Sequence, residues 1–529
     1  MRDSKKAVGI FFWLLLNMYF SISCTEKKTT SKIGNNIITS DTEIISNGHK
    51  LALTYCQGCH LFPKPQLLDK TSWAKKVLPQ MGYHLGINIE AAYKNMSDLE
   101  KSMLQLYKIF PEQPLLSKAA WQELQQYYIE EAPEQLISNQ VDTTTTNVLN
   151  SVKLFQAHFP LKKPGEPPLT TLLHFQQDDE LVIGNFQQEI KFYNKNFDST
   201  SHTISTTSSP VGITKQAENY LVLTIGDIFP NNLNIGKLSK LNITVRSTRF
   251  SKKIHETLKR PVYFSMGDLD NDADEDIVIS NFGYQIGNLI WLEKQQENSY
   301  KEHIIKQIPG ASKTIITDLN QDGKNDILAL IAQGDEGIYA FINTGNGKFT
   351  EKNILRFPPV YGSSYFEWVD MNNDGQKDII YANGDNADYS SILKPYHGIR
   401  IFLNKGNLQF EEVDFLPMHG ASKTVTYDFD QDGDQDIAAI AFFPDFKNHP
   451  ERGFIYFENK GNREFVAQYL SAAIDGRWLV MDKGDFDKDG DTDLALGSFI
   501  NSQIPIPDSL KNKWIHEGKE IMYLENQLL

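Results

Sequence analysis

A chain of 529 residues exceeds the usual size of one domain, so at least two are expected. Its formal net charge of −15 argues against nucleic acid and against anionic membrane surfaces as partners. Three cysteines are too few for a disulfide scaffold, and each has another use.

Arg2, Lys5 and Lys6 precede an apolar run from Val8 to Phe20. That run is short for a membrane span and reads as the core of a signal peptide over residues 1–23. Ser21-Ile22-Ser23-Cys24 resembles a bacterial lipobox, with Ser21 where such lipoproteins usually carry Leu. The resemblance implies cleavage before Cys24 and a lipid on its thiol. Residues 24–45 are polar and read as a tether. The expectation is an exported protein of the cell envelope, lipid-anchored in the outer membrane or facing the periplasm.

Residues 46–135 read as helical. Ser46 to Tyr55 leads into Cys56-Gln57-Gly58-Cys59-His60. Two thiols three apart, followed at once by histidine, form the attachment signature of a c-type haem. Cys56 and Cys59 are expected to make the thioethers and His60 to reach the iron. A zinc site needs further Cys or His pairs, and the chain has none at that spacing. A second helix starts at Thr71-Ser72-Trp73, and the capping box Ser97-Asp98-Leu99-Glu100 opens a third. Ser117 to Glu131 is the last, with Trp121, Leu124, Tyr128 and Ile129 on one face and Pro133 as its stop. The region resembles a small single-haem cytochrome c whose last helix crosses its first. That resemblance implies one covalent haem c and a methionine opposite His60. Met81, in the Pro/Gly-bounded stretch Leu78-Pro79-Gln80-Met81-Gly82, is expected in an irregular segment as the sixth ligand; Met96, Met103 and His84 compete with it. An axial histidine suits electron transfer or the binding of a small gas.

After a linker at 136–150, the rest of the chain repeats. Five segments follow D-x-[DN]-x-D-[GA]-x-x-D, starting at residues 268, 318, 370, 428 and 485. They offer Asp268, Asp270, Asp272 and Asp276; Asp318, Asn320, Asp322 and Asp326; Asp370, Asn372, Asp374 and Asp378; Asp428, Asp430, Asp432 and Asp436; and Asp485, Asp487, Asp489 and Asp493. Alternating oxygens converge where the chain curls around a glycine, and hard oxygen ligands in a flexible loop suit Ca2+. Up to five ions are expected. The first loop has Ala273 in place of the glycine, which puts its competence in question. An EF-hand closes with Glu at position 12 between helices; here the loop ends at position 9 and enters an apolar strand such as Ile327-Leu-Ala-Leu.

Each loop is followed by a strand ending in an Asn-x-Gly turn, as at Asn343, Asn404 and Asn459. Short strands with a period of about 50 residues indicate four-stranded propeller blades. Residues 151–529 resemble the FG-GAP/VCBS repeats of integrin-α-type β-propellers, whose Asp loops bind Ca2+. Two blades without the Asp loop precede the five, around Leu181-Val-Ile and Tyr220-Leu-Val-Leu, so seven blades are expected, with six or eight as alternatives. The chain stops on a third-strand pattern at Ile521–Leu529, and residues 152–159 have strand character. They are expected to supply the missing outer strand and close the ring.

The fold class is therefore multidomain, a small all-α cytochrome c-like domain followed by an all-β seven-bladed propeller. Asp385, Asn386, Asp388, Tyr389, Tyr396, His397 and Asp445 fall in loops equivalent between blades and are expected to share a polar pocket. The functional expectation is an electron-transfer protein whose propeller docks a redox partner or a small ligand. A haem-coupled propeller dehydrogenase acting on a sugar or alcohol is one alternative, although no dinucleotide fingerprint occurs. A non-redox adhesion or carbohydrate-binding lipoprotein is the other.

Overall fold

The computed structural model describes residues 46–136, 152–176, 180–200, 203–244, 247–296, 299–385, 390–501 and 504–528. The signal segment, Cys24, the tether, most of the linker and Asn386, Asp388 and Tyr389 lie outside the described residues. The helices and the strands belong to one compact unit, Ser46–Leu529.

Seven four-stranded antiparallel sheets form a seven-bladed propeller. The second strand of each Asp-loop blade explains the apolar runs. In Asp276–Asn281, Asp326–Ile331, Asp378–Asn383, Asp436–Ala441 and Asp493–Ser498 all six residues are buried. Both faces of such a strand pack against neighbouring blades, so period-two alternation is lost. The last sheet takes its outer strand from the start of the repeat region. Phe155–His158 pairs antiparallel with Ile521–Asn526, Phe155 opposite Asn526 and His158 opposite Tyr523. Phe155 then packs edge-on against Phe429 and Tyr456 of the preceding blade. The ring closes as expected.

A helix not anticipated from the sequence, Asp508–Glu517, lies in the last blade between its second and third strands. Its signals were present: Asp508 in the first turn and Gly518 as a left-handed C-cap, φ 56°. Leu510 and Trp514 bury its inner face.

Asparagines tie neighbouring blades together. Asn343 Nδ2 donates to the Leu269 carbonyl at 2.8 Å, and Asn526 Nδ2 to the Phe429 carbonyl at 2.9 Å. Each reaches from the end of a third strand to the Asp loop of the previous blade. Asn404 and Asn459, at the equivalent turns, donate instead to the Lys377 and Gln435 carbonyls of their own blades.

In the helical region, Ser46 caps Asn47–Cys56, Ser97 and Glu100 form the capping box of Asp98–Leu106, and Ser117 caps Lys118–Glu131. The first and last helices touch at Gly48, where an added Cβ meets the Glu123 carbonyl at 2.4 Å. No larger residue fits that crossing without moving a backbone. One expectation needs correction. Met81 is not in an irregular stretch; it lies in helix Leu78–His84, which continues from Lys70–Ser72 through a π-turn at Trp73–Val77. Pro79 sits in the first turn of Leu78–His84, where its missing N–H does least harm. Among the described residues, no helix is long and apolar enough to cross a membrane.

Candidate functional site

The strands of a blade alternate in direction, so the loop after the first strand and the loop after the second lie at opposite ends. The Asp loops occupy one face. The loops after the second strands occupy the other, about 20 Å away for a six-residue strand. The helices are seated on that second face. Tyr396 Oη donates to the Leu67 carbonyl at 2.9 Å, and Ser72 Oγ bonds Ser390 Oγ at 3.0 Å. The Asn232 backbone N–H donates to Glu100 at 3.2 Å. Val360 is buried in the helical core, and Ile286 is buried with Leu104 and Phe110. The propeller is a docking platform for the helices of its own chain.

Between helices and propeller lies a cavity of about 490 Å³. Cys56, Cys59 and His60 line it from the helical side. Helix Asn47–Cys56 ends at the first thiol, and the turn through Gln57–Cys59 brings the second alongside. Val77, Met81 and His84, spaced four and three residues apart, line it from one helix face. Trp73, Leu124 and Tyr128 make its apolar wall. Met96 and Met103 pack instead around Leu104 and Phe110, away from the cavity. Of Met81, Met96, Met103 and His84, only Met81 and His84 line the cavity together with His60.

The donor set fits a covalently held haem. Both cysteines are free of a disulfide. His60 Nδ1 lies 3.0 Å from the Leu61 carbonyl, and a proton donated there leaves Nε2 as the free ligand. Burial holds the His60 and His84 imidazoles below the usual range, which favours the neutral ring. Burial pushes the Cys56 thiol up to about 11. A thiol held protonated is a poor nucleophile at neutral pH. The volume and the mainly apolar wall suit a small-molecule site.

The propeller supplies the polar part of the lining, including Gln285, Glu336, Ser363, Asp385 and Lys394. Glu336 is 1% exposed and accepts from the Ser363 backbone N–H at 2.7 Å. Burial raises its carboxyl to about 8. Burial likewise lowers Lys394 to about 7, its ammonium donating to the Ser390 carbonyl at 3.0 Å. Asp335 pairs with Arg356 at 2.6 Å, near His60.

Of the proposed propeller-face residues that are described, Asp385, Tyr396, His397 and Asp445, only Asp385 lines this cavity. Tyr396 anchors the helices, His397 is fully buried, and Asp445 caps its own turn by accepting from the Lys447 and Asn448 backbone N–H groups. These side chains do not form the shared pocket expected of them. Glu336 and Lys394 stood in the same loop sequences, but nothing local marked them as cavity residues.

At the other face the loops at 268, 318, 370 and 428 share one bond, from the backbone N–H of the sixth residue to Oδ2 of the first aspartate. Asp318 Oδ1 accepts from the Asn320 and Asp322 backbone N–H groups, and its Oδ2 from that of Gly323. Asp268 and Ala273 repeat the last bond at 3.0 Å, with Ala273 at φ 70°. The alanine adopts the left-handed conformation that glycine supplies elsewhere, so the first loop keeps the curl. The carboxylates of Asp268, Asp270 and Asp276 converge within 4.8 Å, as do those of Asp428, Asp430 and Asp436, and of Asp485, Asp487 and Asp493. In the loops at 318 and 370, Asn320 and Asn372 take the middle position.

The ninth residue has a second task. Asp436 is fully buried and accepts from the Phe429 and Asn459 backbone N–H groups and from Tyr456 Oη, at 3.1, 2.8 and 2.7 Å. It wires the loop to the far strand whether or not a cation is bound.

The FG-GAP-like repeat profile matches residues 318–381 and 428–496. The propeller carries FG-GAP-like repeats. Both matched stretches run from an Asp loop into the buried second strand. No curated protein matches the chain. Similar solved structures include BBS1N in complex with ARL6DN, at 10% identity, covering 72% of this chain and 97% of that one, TM-score 0.44. Saccharomyces cerevisiae Sqt1 is similar at 9% identity, covering 71% of this chain and 99% of that one, TM-score 0.40.

Proposed function

We propose that this chain is an exported c-type haem protein that transfers electrons, with a calcium-stabilised FG-GAP-like propeller as its docking and ligand-binding platform. One observation supports the reading above others: Cys56, Cys59, His60 and the pair Met81 and His84 all open on one apolar cavity. The haem supplies a one-electron couple when bound. Cys56 and Cys59 would hold it, and His60 with Met81 or His84 would offer donors to its iron. Trp73, Leu124 and Tyr128 exclude water, and the propeller loops close the far side. The Asp loops hold Ca2+ on the opposite face, clear of the redox site. The lipobox-like Cys24 anchors the chain at the membrane, and the redox partner meets the cavity end.

Protein exported with cytochrome maturation machinery is expected to keep its colour on a denaturing gel. Cys59→Ser should weaken the linkage and His60→Ala should shift the visible spectrum. In Met81→Ala and His84→Ala, only the variant lacking the true ligand should lose the low-spin spectrum. Colourless wild-type protein made under those conditions would refute the haem reading.

A further inference from the structure

We infer that Glu336 binds a proton when the iron in this cavity gains an electron and releases it on reoxidation, so that electron transfer is coupled to proton transfer. The inference rests on the haem reading and goes beyond it, because the proton site is supplied by the propeller. Glu336 and His60 lie about 275 residues apart in sequence and line the same cavity. The carboxyl is almost wholly buried, and no cation pairs with it among the described residues. It accepts from the Ser363 backbone N–H at 2.7 Å.

The surroundings set the direction. Asp385 faces Glu336 and disfavours a second negative charge. The phenols of Tyr361, Tyr381 and Tyr396 stand within electrostatic reach, and all three remain protonated in this range because burial raises them. Lys394 lines the same cavity and donates to the Ser390 carbonyl; burial lowers it to about 7, so it gives up its proton below the Glu336 window and its effect on the potential falls at the lower end of the titration. The neighbouring Asp335 is neutralised by Arg356 at 2.6 Å. Burial therefore keeps the Glu336 carboxyl protonated at neutral pH, with its midpoint near 8.

An added positive charge on the iron favours the carboxylate, and its removal favours the acid. The reduced state then binds one more proton over a window around that midpoint. A one-electron protein donor supplies the electron to the iron, water supplies the proton to the carboxylate, and oxidation returns both. Raising the pH through the window disfavours the reduced state, so the midpoint potential falls.

The test is a spectroelectrochemical titration of the haem-loaded full chain at a series of pH values bracketing about 8. The wild-type potential should fall with rising pH, and Glu336→Gln, which keeps the acceptor for Ser363, should abolish the slope. Asp385→Asn should keep it. A slope that survives in Glu336→Gln, or that vanishes in Asp385→Asn alone, overturns the inference. Should Glu336→Gln fail to fold, redox-difference infrared spectra of the wild type decide: a protonated-carboxyl band lost on oxidation supports it, and none overturns it. Haem-loaded protein with a pH-independent potential overturns this inference alone; colourless protein overturns the haem reading with it.

Discussion

Chelation of divalent cations is expected to lower the melting temperature of the propeller by on the order of 10 °C. A ligand bound only by the folded chain stabilises it by about 2.7 kcal/mol per site at a hundredfold excess over its Kd. Several such sites act on one ring, and the loops at 268 and 428 contact the next blade through Asn343 and Asn526. Without a cation, the converging carboxylates of Asp428, Asp430 and Asp436 repel one another. Differential scanning calorimetry with and without chelator makes the measurement. Asp430→Asn should reduce the calcium-dependent part of the shift. Asp436→Ala should destabilise the fold even in chelator, because three buried donors lose their acceptor. An unchanged transition in excess chelator would count decisively against bound Ca2+. The visible spectrum should stay the same below the transition, since the loops and the cavity lie on opposite faces.

Phe155→Ala is expected to cost about 3–5 kcal/mol, the usual range for a buried phenylalanine. The ring is 4% exposed and sits among Phe429, Tyr456, Met522 and Leu524. It also belongs to the strand that closes the propeller, so its loss loosens the contact between the last two blades. Deleting residues 152–159 should have the larger effect. It leaves Ile521–Asn526 as an open apolar edge, which invites pairing with a second molecule. Equilibrium denaturation of Phe155→Ala and light scattering of the deletion variant test both. A Phe155→Ala midpoint close to wild type would refute the closure role.

The Asp loops and the Cys-x-x-Cys-His motif were legible because their chemistry is local. The ligands of one loop lie within nine residues, and the two thiols and His60 within five, so the residue pattern is itself the geometry. The closing strand was legible for a related reason: the chain ends on a third strand, and residues 152–159 were the unassigned strand that could complete it. Met81 shows the limit of punctuation. Pro79 and Gly82 suggested an irregular stretch, yet a π-turn before Pro79 lets the helix run on and brings Met81 and His84 to one face.

The cavity was not legible at all. Its helical wall and its propeller floor come from segments hundreds of residues apart, brought together when Val360, Ile286 and Tyr396 dock the helices. Glu336 carries no sequence signal, because what distinguishes it is burial beside Asp385 without a cation, and burial belongs to the assembled fold. The sequence by itself determined the repeating unit, its Asp loops and the Cys-x-x-Cys-His motif, since short-range spacing is written along the chain. Only the tertiary structure decided which propeller face meets the helices and which carboxyl is enclosed with His60, since desolvation depends on what packs against a group and not on its neighbours in sequence.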